Sequence, residues 1–218
     1  MGEFDFAGQY QQRPVPLEGG IVKRHWLHYY NEIPNGLWQI IISWDTAAKA
    51  GSKNAYSACS VLGICDTKDA TGIHCTVALL EVHRMKLEFP DLVETIKNQS
   101  QEIQQKYKTK LDKKYIAIET VIEDASSGTA LIQFLNSKGI IVEGVKPEAD
   151  KETRLTAITH LIQNGTVLLP NQQDSDMVDF LDELLKFPNS VFKDMVDSFS
   201  QGVRYADDKY ISGRRGYF

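Results

Sequence analysis

The chain has 218 residues, of which 42% are hydrophobic and 24% charged, and a formal net charge of −5, a composition that excludes a disordered tail, a collagen-like fibre and a small disulfide-rich protein. Its three cysteines lack CxxC spacing, so a zinc site is not expected and a reducing compartment is favoured. The sequence shows no secretory signal pattern and no apolar run of the roughly 20 residues that a membrane helix needs. Because the net charge is negative, any contact with DNA must come from local basic patches.

Residues 1–36 predict an extended lead-in, because Pro14, Pro16 and the turn sequence Pro34-Asn35-Gly36 work against helix formation. Three β-rich segments follow, and the short connections between them predict an antiparallel meander. The first segment, LWQIIISW from Leu37, is apolar almost throughout. Such a run is typical of a central strand that is buried on both faces.

Residues 89–110 change to the helical period, and strands then alternate with helices until two helices end the domain near residue 206, before a C-terminal tail at 207–218. One helix is expected over 151–164, with Asp150 as its N-cap. The element order is β-β-β-α-β-α-β-α-β-α-α. It predicts an α/β fold whose mixed sheet, an antiparallel three-strand meander plus parallel strands, has helices on both faces. This is also the order of the ribonuclease H-like fold.

Acidic residues follow two of the predicted strands. Asp45 comes directly after the buried run IIISW, where a carboxylate is costly unless it is paired, bound to a metal or open to a cleft; an Asx-turn is the structural alternative. Glu119 and Glu123 share one face of the fourth strand but lie about 13 Å apart, too far to hold one metal pair together. Glu123 is therefore the better ligand candidate. Glu119 is expected to pair with a cation or face water, and Asp124 to cap the next helix.

Asp194 and Asp197 are three residues apart in the last helix, so they share one helical face. Interaction with the helix dipole is the alternative explanation for this pair. If the first and fourth strands are parallel neighbours and the last helix crosses the sheet, all these carboxylates converge. Oxygen ligands without His or Cys favour Mg²⁺ or Mn²⁺ over Zn²⁺, and two such ions support in-line phosphodiester hydrolysis. The sequence by itself does not show the convergence.

Two basic groups are candidate phosphate contacts, with ordinary exposed charge as the alternative for each. The first precedes the fourth strand and comprises Lys106, Lys108 and Lys110. The second follows the fifth strand and comprises Lys146, Lys151 and Arg154. Contacts to phosphate bind DNA without reading its sequence, and the chain has no recognisable base-reading module. Any cutting is therefore expected to be largely sequence-independent.

Six motifs, in order, resemble the C-terminal nuclease domain of a tailed-phage or prophage terminase large subunit. They are QYQQRPVPLEGGIVKRHW, SWDTAAK, EFPDL, IEDASSGTALIQ, DKETR and KDMVDSFSQ. The resemblance implies a ribonuclease H-like endonuclease that uses two metal ions to cut concatemeric viral DNA during genome packaging. The residues that match the metal-ligand positions of the family are Asp45, Glu123, Asp194 and Asp197.

The chain departs from the His-Asp-Asp helix motif of that family, because Phe192 and Lys193 stand in place of the His and the first Asp. Loss of the His puts full activity in question. Lys193 is expected beside the metal ligands, where its ammonium group suits a phosphate, and Glu119 and Asp124 are the other residues expected around them.

The resemblance also implies partners, namely double-stranded DNA, a packaging ATPase domain, the small terminase subunit and the portal or procapsid, in the cytoplasm of the bacterial host and away from membranes. No Gly-Lys dipeptide occurs in the chain, so the phosphate-binding loop of an ATPase is absent. We expect an isolated nuclease domain at 37–206, preceded by a linker at 1–36. The alternatives are a Holliday-junction resolvase, a ribonuclease H-type nuclease and a degenerate remnant that binds DNA or a portal without cutting.

Overall fold

The computed structural model describes residues 20–46, 56–69, 72–125 and 127–212. The first part of the predicted lead-in and the end of the predicted tail therefore lie outside the described residues. Within the described ranges, no helix combines the length and the apolar composition needed to cross a membrane.

Seven strands form one sheet in the part of the chain that the structure describes, in the order β1-β7-β4-β3-β2-β5-β6. Their bounds are β1 (His28–Tyr30), β2 (Leu37–Asp45), β3 (Ser57–Asp69), β4 (Gly72–Met85), β5 (Ala117–Glu123), β6 (Glu143–Val145) and β7 (Val167–Pro170). Strand β3 pairs antiparallel with β2 and with β4, and the other described pairings are parallel. The predicted mixed sheet, with an antiparallel meander extended by parallel strands, is confirmed.

The described helices cover both faces of this sheet, as predicted. They are α1 (Phe89–Lys110), α2 (Ser127–Ser137), α3 (Lys151–Gln163), α4 (Ser175–Lys186) and α5 (Asp194–Ala206). A π-helical turn at Asp207–Ile211 follows α5, and a 3₁₀ turn at Arg24–Trp26 precedes β1.

Strand β1 was not predicted, because three residues within an irregular segment show no strand period. It forms by parallel pairing with β7, which lies about 140 residues later in the chain (His28 opposite Leu168). Val22 and Leu27, on either side of the 3₁₀ turn, are buried in the core. Residues 20–36 are thus packed on the sheet.

Side chains of β2 alternate between two hydrophobic layers. Ile40, Ile42 and Trp44 pack in the layer under α1 and α2, whereas Ile41 packs in the layer under α3, α4 and α5. Because successive strand residues point to opposite faces, Asp45 has the same orientation as Ile41. The last residue of this buried strand therefore points toward the α3–α5 side of the sheet.

Candidate active site

The carboxyl ends of β2 and β5 place Asp45 and Glu123 next to each other. The two strands are parallel neighbours, with Trp44 opposite Ile122, so the next residue of each strand stands at the same edge. Val121 packs in the layer under α3–α5, and strand alternation gives Glu123 the same orientation. Both carboxylates therefore face the same helices, in agreement with the predicted parallel pairing.

Helix α5 lies close across this edge and carries Asp194 and Asp197 in its first turn. Gln201, one turn after Asp197, donates a hydrogen bond to Ser43 Oγ at 3.0 Å and to the backbone oxygen of Trp44 at 3.2 Å. A Cβ atom at Gly202 would lie 2.6 Å from a Leu62 methyl carbon and 2.8 Å from Ser43 Cβ. The absence of a side chain at position 202 thus allows the close approach of helix and sheet.

Two cations of α3 lie among these carboxylates. Lys151 Nζ contacts Asp197 Oδ2 and lies 3.5 Å from Asp45 Oδ2. Arg154 donates to Glu123 Oε2 at 2.6 Å, and its second terminal nitrogen lies 3.5 Å from Asp197 Oδ1. The two cations therefore connect three acidic side chains that come from three separate elements.

The N-terminus of α3 sets the direction of these cations. The Asp150 carboxylate accepts a hydrogen bond from the Thr153 backbone N–H at 2.8 Å, which confirms the predicted N-cap. Lys151 and Arg154 are the first and fourth residues of the helix, so they share one face. That face is turned to the carboxylate cluster.

Burial raises the pKa values of three carboxylates of this cluster. Burial raises the pKa of Asp45 to about 6, Lys151 lowers it and the neighbouring Glu123 raises it further. Burial also raises the pKa of Asp197 to about 7, although Lys151 acts in the opposite direction. The pKa of Asp194 is raised for the same reason, its burial. Burial therefore disfavours the charged form of these carboxylates more strongly than the two cations favour it.

No group of three His, Cys, Asp or Glu side chains stands in metal-binding arrangement among the described residues. The predicted carboxylates do come to one edge, but the prediction did not anticipate that Lys151 and Arg154 would lie between them. An ammonium and a guanidinium group contact the carboxylate oxygens that would otherwise face one another.

Glu183 and Arg84 support the first turn of α5, and sequence reasoning missed both. Glu183 is 3% exposed; its Oε1 accepts the Val196 backbone N–H at 2.9 Å and its Oε2 accepts from Arg84 at 3.0 Å. Burial raises the pKa of Glu183 to about 7. The available sequence signal was an acidic residue within the apolar face of α4, which is weak by itself.

The three residues expected around the ligands have partners of their own. Glu119 accepts from Lys209 at 2.9 Å and from the Tyr210 hydroxyl at 2.6 Å, as expected for a carboxylate that pairs with a cation. Asp124 accepts from the Thr129 hydroxyl at 2.6 Å, on the α2 side of the sheet.

Lys193, the third of these residues, ends the connection before α5. Its backbone oxygen accepts the Asp197 N–H at 3.0 Å, and its Nζ lies 5.8 Å from the centre of the Phe187 ring. The residue thus directly adjoins the acidic turn of α5.

The first basic group lies away from the carboxylates. Lys106 pairs with Glu81 at 3.0 Å, and Lys108 and Lys110 end α1, which leads into the amino end of β5. Lys113 of the same connection contacts the backbone oxygen of Leu37, the first residue of β2. Lys108, Lys110 and Lys113 are therefore near the opposite end of the central strands from Asp45 and Glu123, whereas Lys106 lies beside Glu81 on the α1 face of the sheet.

The second basic group lies at the carboxylate edge. Strand β6 is parallel to β5, so the residues after it emerge beside Glu123. Lys146 and Arg154 line a groove of about 490 Å³ that runs between the β6–α3 connection and α5 and is also lined by Arg204 and Lys209. The groove adjoins the carboxylate cluster through Arg154.

A mixed sheet with carboxylates at the ends of its two central parallel strands, completed by acidic residues of a crossing helix, defines a ribonuclease H-like domain with an acidic site. The model of the terminase RNaseH-like domain family matches residues 42–204, and the chain belongs to this family. No match was found among curated protein sequences.

Solved structures show the same fold at low sequence identity. The chain is 10% identical to the human cytomegalovirus terminase nuclease domain, with a TM-score of 0.59 over 88% of this chain and 98% of that one. The large terminase nuclease of thermophilic phage G20c with bound magnesium is 18% identical, with a TM-score of 0.52 over 87% and 98% of the two chains.

The large terminase of a second thermophilic bacteriophage is 9% identical, with a TM-score of 0.57 over 88% of this chain. The chain spans 44% of the length of that terminase.

Proposed function

We propose that the chain is a metal-dependent DNA endonuclease domain that hydrolyses phosphodiester bonds of concatemeric viral DNA during genome packaging. The observation that carries this proposal is the meeting of Asp45, Glu123 and Asp197 at one sheet edge through two shared cations. Membership of the terminase RNaseH-like family supports it independently.

The carboxylates fit divalent metal ions of the hard type. All four candidate ligands, Asp45, Glu123, Asp194 and Asp197, present oxygen atoms, which suit Mg²⁺ and Mn²⁺. Burial raises the pKa of Asp45, Asp194 and Asp197, and repulsion from neighbouring carboxylates raises it further for Asp45 and Asp197, so added positive charge would stabilise the cluster. Two bound ions would supply an activated water and stabilise negative charge on the leaving oxygen. A related nuclease, that of phage G20c, has been solved with bound magnesium.

The cations of the chain itself have a second task in this proposal. The side chain of Lys151 is 43% exposed, so its ammonium group contacts the carboxylates and also reaches solvent. If divalent ions were bound by the carboxylates, Lys151 and Arg154 would be free to bind phosphate oxygens instead. The planar guanidinium of Arg154 suits a two-point contact with a phosphate, and the Lys151 ammonium acts as a point charge. Lys146, and the more distant Lys106, Lys108 and Lys110, would contact the DNA backbone farther along.

These contacts go to phosphate and carry no base information, so the proposed cutting is largely independent of sequence. We further propose that the domain works beside a packaging ATPase domain, the small terminase subunit and the portal or procapsid in the host cytoplasm. Lys193, at the start of α5, is a candidate phosphate contact in place of the family's acidic residue.

Nicking of supercoiled plasmid in Mg²⁺, in Mn²⁺ and in EDTA tests the proposal. Cleavage should need a divalent ion, should be lost in Asp45→Asn and should persist in Asp112→Asn, an exposed aspartate at the other end of the sheet where asparagine also tolerates the positive φ.

A four-way junction and an RNA–DNA hybrid, offered at equal concentration, separate the alternatives. Preference for either substrate over plasmid would replace the packaging function by a resolvase or a ribonuclease H. DNA binding without cleavage in any metal would indicate a non-cutting remnant.

A further inference from the structure

Beside the carboxylates lies an exposed apolar surface that the proposed chemistry does not use. Val191 and Phe192 lie near the end of the connection between α4 and α5, where only Lys193 separates them from the acidic turn. Val191 is 91% exposed and Phe192 is 38% exposed. We call Tyr56, Arg84, Lys86, Val191 and Phe192 the aromatic patch.

The ring of Phe192 is held in place although it is exposed. The guanidinium carbon of Arg84 lies 4.1 Å from the ring centre, and the Tyr56 ring meets it edge-on at 5.3 Å between centres. Arg84 is itself fixed by Glu183 at 3.0 Å and by Asp179 at 3.6 Å. A ring that is already ordered loses little conformational freedom when it binds a partner.

Strand register brings the patch to the same edge and face as the candidate active site. Asp45 pairs with Ala58 on β3, and Ala58 pairs with Arg84 on β4. Tyr56 lies two residues before Ala58 and Lys86 two after Arg84, so all of these side chains share the α5 side of the sheet. The patch thus borders the carboxylates on the β3–β4 side, opposite to Lys146 and Arg154 on the β5–β6 side.

The chemistry of the patch suits DNA. Lys86 is exposed, and its Nζ lies 4.7 Å from the Tyr56 ring centre, so an ammonium group stands beside apolar and aromatic side chains. The acidic residues that contact the patch, Glu183 and Asp179, are both paired with Arg84. Apolar groups that contact sugars and base faces, next to a cation that contacts phosphate, are how proteins hold a DNA strand without reading sequence.

We propose that the aromatic patch is a second DNA-binding surface that holds the stretch of strand next to the cleaved bond on the β3–β4 side. This inference rests on the proposed nuclease function. Val191 and Phe192 contact sugars and bases, and Lys86 contacts a phosphate. Phe192, which stands where the related motif has a histidine, then has a task in substrate binding.

Binding of fluorescein-labelled duplex DNA, with and without an unpaired flap, is measured by anisotropy in Ca²⁺ over a salt series. The V191N/F192A double variant should bind at least about fivefold more weakly, with an unchanged salt slope. Lys86→Ala should reduce the salt slope by about one.

The chain offers matched controls. Ile141 is also 91% exposed but lies beyond α2, so Ile141→Asn controls for Val191. Lys138 rests on an aromatic ring, 5.5 Å from the Phe134 ring centre, as Lys86 does on Tyr56, so Lys138→Ala controls for Lys86. Both controls should bind as the parent does.

Unchanged affinity in V191N/F192A, or an equal loss in Ile141→Asn, would overturn the inference. If the parent cuts plasmid and its patch variants bind normally, the inference fails while the nuclease function stands. If the parent binds no DNA at all, both are overturned.

Discussion

Two sites with carboxylate side chains lie on opposite faces of the sheet and balance their negative charge differently. On the α1 face, Glu81 accepts hydrogen bonds from Tyr107 at 2.8 Å, Lys106 at 3.0 Å and His83 at 3.4 Å. Burial alone would raise the pKa of Glu81, but hydrogen bonds from these neighbours lower it to about 2. The charge of Glu81 is therefore well satisfied within the fold.

At the candidate active site the balance is reversed. Lys151 and Arg154 are present, yet burial still raises the pKa of Asp45 to about 6 and that of Asp197 to about 7. A carboxylate with a lowered pKa contributes to stability, whereas carboxylates held together with raised pKa values are typical of functional sites. Glu81 in its charged form therefore stabilises the fold, whereas the raised pKa values of Asp45 and Asp197 fit the divalent-ion site proposed above.

The largest expected effect is loss of cleavage in Asp45→Asn. The rate of plasmid nicking should fall at least about 100-fold, because a proposed metal ligand is lost. The free energy of unfolding should stay equal or rise, because burial already disfavours the charge of Asp45. Initial rates of nicking and urea denaturation measure the cleavage activity and the free energy of unfolding, respectively. Nicking within tenfold of the parent would contradict the assignment.

Glu81→Gln should show the reverse of Asp45→Asn, namely lower stability with nearly unchanged nicking. At pH 7 the free energy of unfolding should fall by about 2 kcal/mol while nicking stays within twofold. The folded-state pKa of about 2 lies below the ordinary value of 4.5, so this stabilisation is present above pH 4.5 and is lost as the pH falls toward 2.

Urea denaturation at pH 7, 4 and 3 tests this prediction. The difference between parent and variant should shrink at low pH, and Tyr107→Phe, which removes a single hydrogen bond, should cost about 1 kcal/mol. A difference that is constant with pH would show that the charge of Glu81 is not the stabilising feature.

Metal binding should weaken as the pH falls. Mn²⁺ needs deprotonated ligands, and the pKa values of Asp45 and Asp197 are about 6 and about 7. Affinity at pH 5.5 should therefore be at least about tenfold lower than at pH 8. Calorimetric titration at the two pH values, with Asp197→Asn beside the parent, measures this. Equal affinity at the two pH values would indicate that Mn²⁺ binds at a site other than these carboxylates.

Lys151→Met should lower the free energy of unfolding in EDTA by about 1 kcal/mol, because the partly exposed ammonium group compensates buried carboxylates. Mn²⁺ should then raise the melting temperature of the variant more than that of the parent. Lys138→Met, on the surface of the α2 region, is the control. A variant that is more stable than the parent in EDTA would contradict the role of Lys151 as an internal cation.

The smallest effect is expected from replacing Lys108 and Lys110 together with alanine. Both lie near the end of the sheet opposite to the carboxylates, so their proposed phosphate contacts are peripheral, and DNA affinity should fall by only about twofold. Lys146→Ala, on the groove at the carboxylate edge, should weaken binding more and reduce the salt dependence by about one ion. A larger loss of affinity in the Lys108 and Lys110 double variant than in Lys146→Ala would indicate that DNA binds near the end of α1 instead.

Local sequence patterns were sufficient to predict many of the strands and helices. The apolar run of β2, the helical period at 89–110 and the Asp150 cap each depend on neighbouring residues, and the structure confirms them. The strand ends that carry Asp45 and Glu123 were predictable for the same reason, because period 2 and strand order together define which edge a residue reaches.

Tertiary structure alone decided the rest, since it depends on contacts between residues far apart in the chain. Strand β1 forms because its backbone pairs with the free edge of β7. The cap that Glu183 provides to α5, and the placing of Lys151 and Arg154 among the carboxylates, follow from how three helices pack on one face. The sequence determined which residues are acidic at the strand ends; packing determined what compensates their charge, because a charge balance is set by distance and burial, which no local pattern encodes.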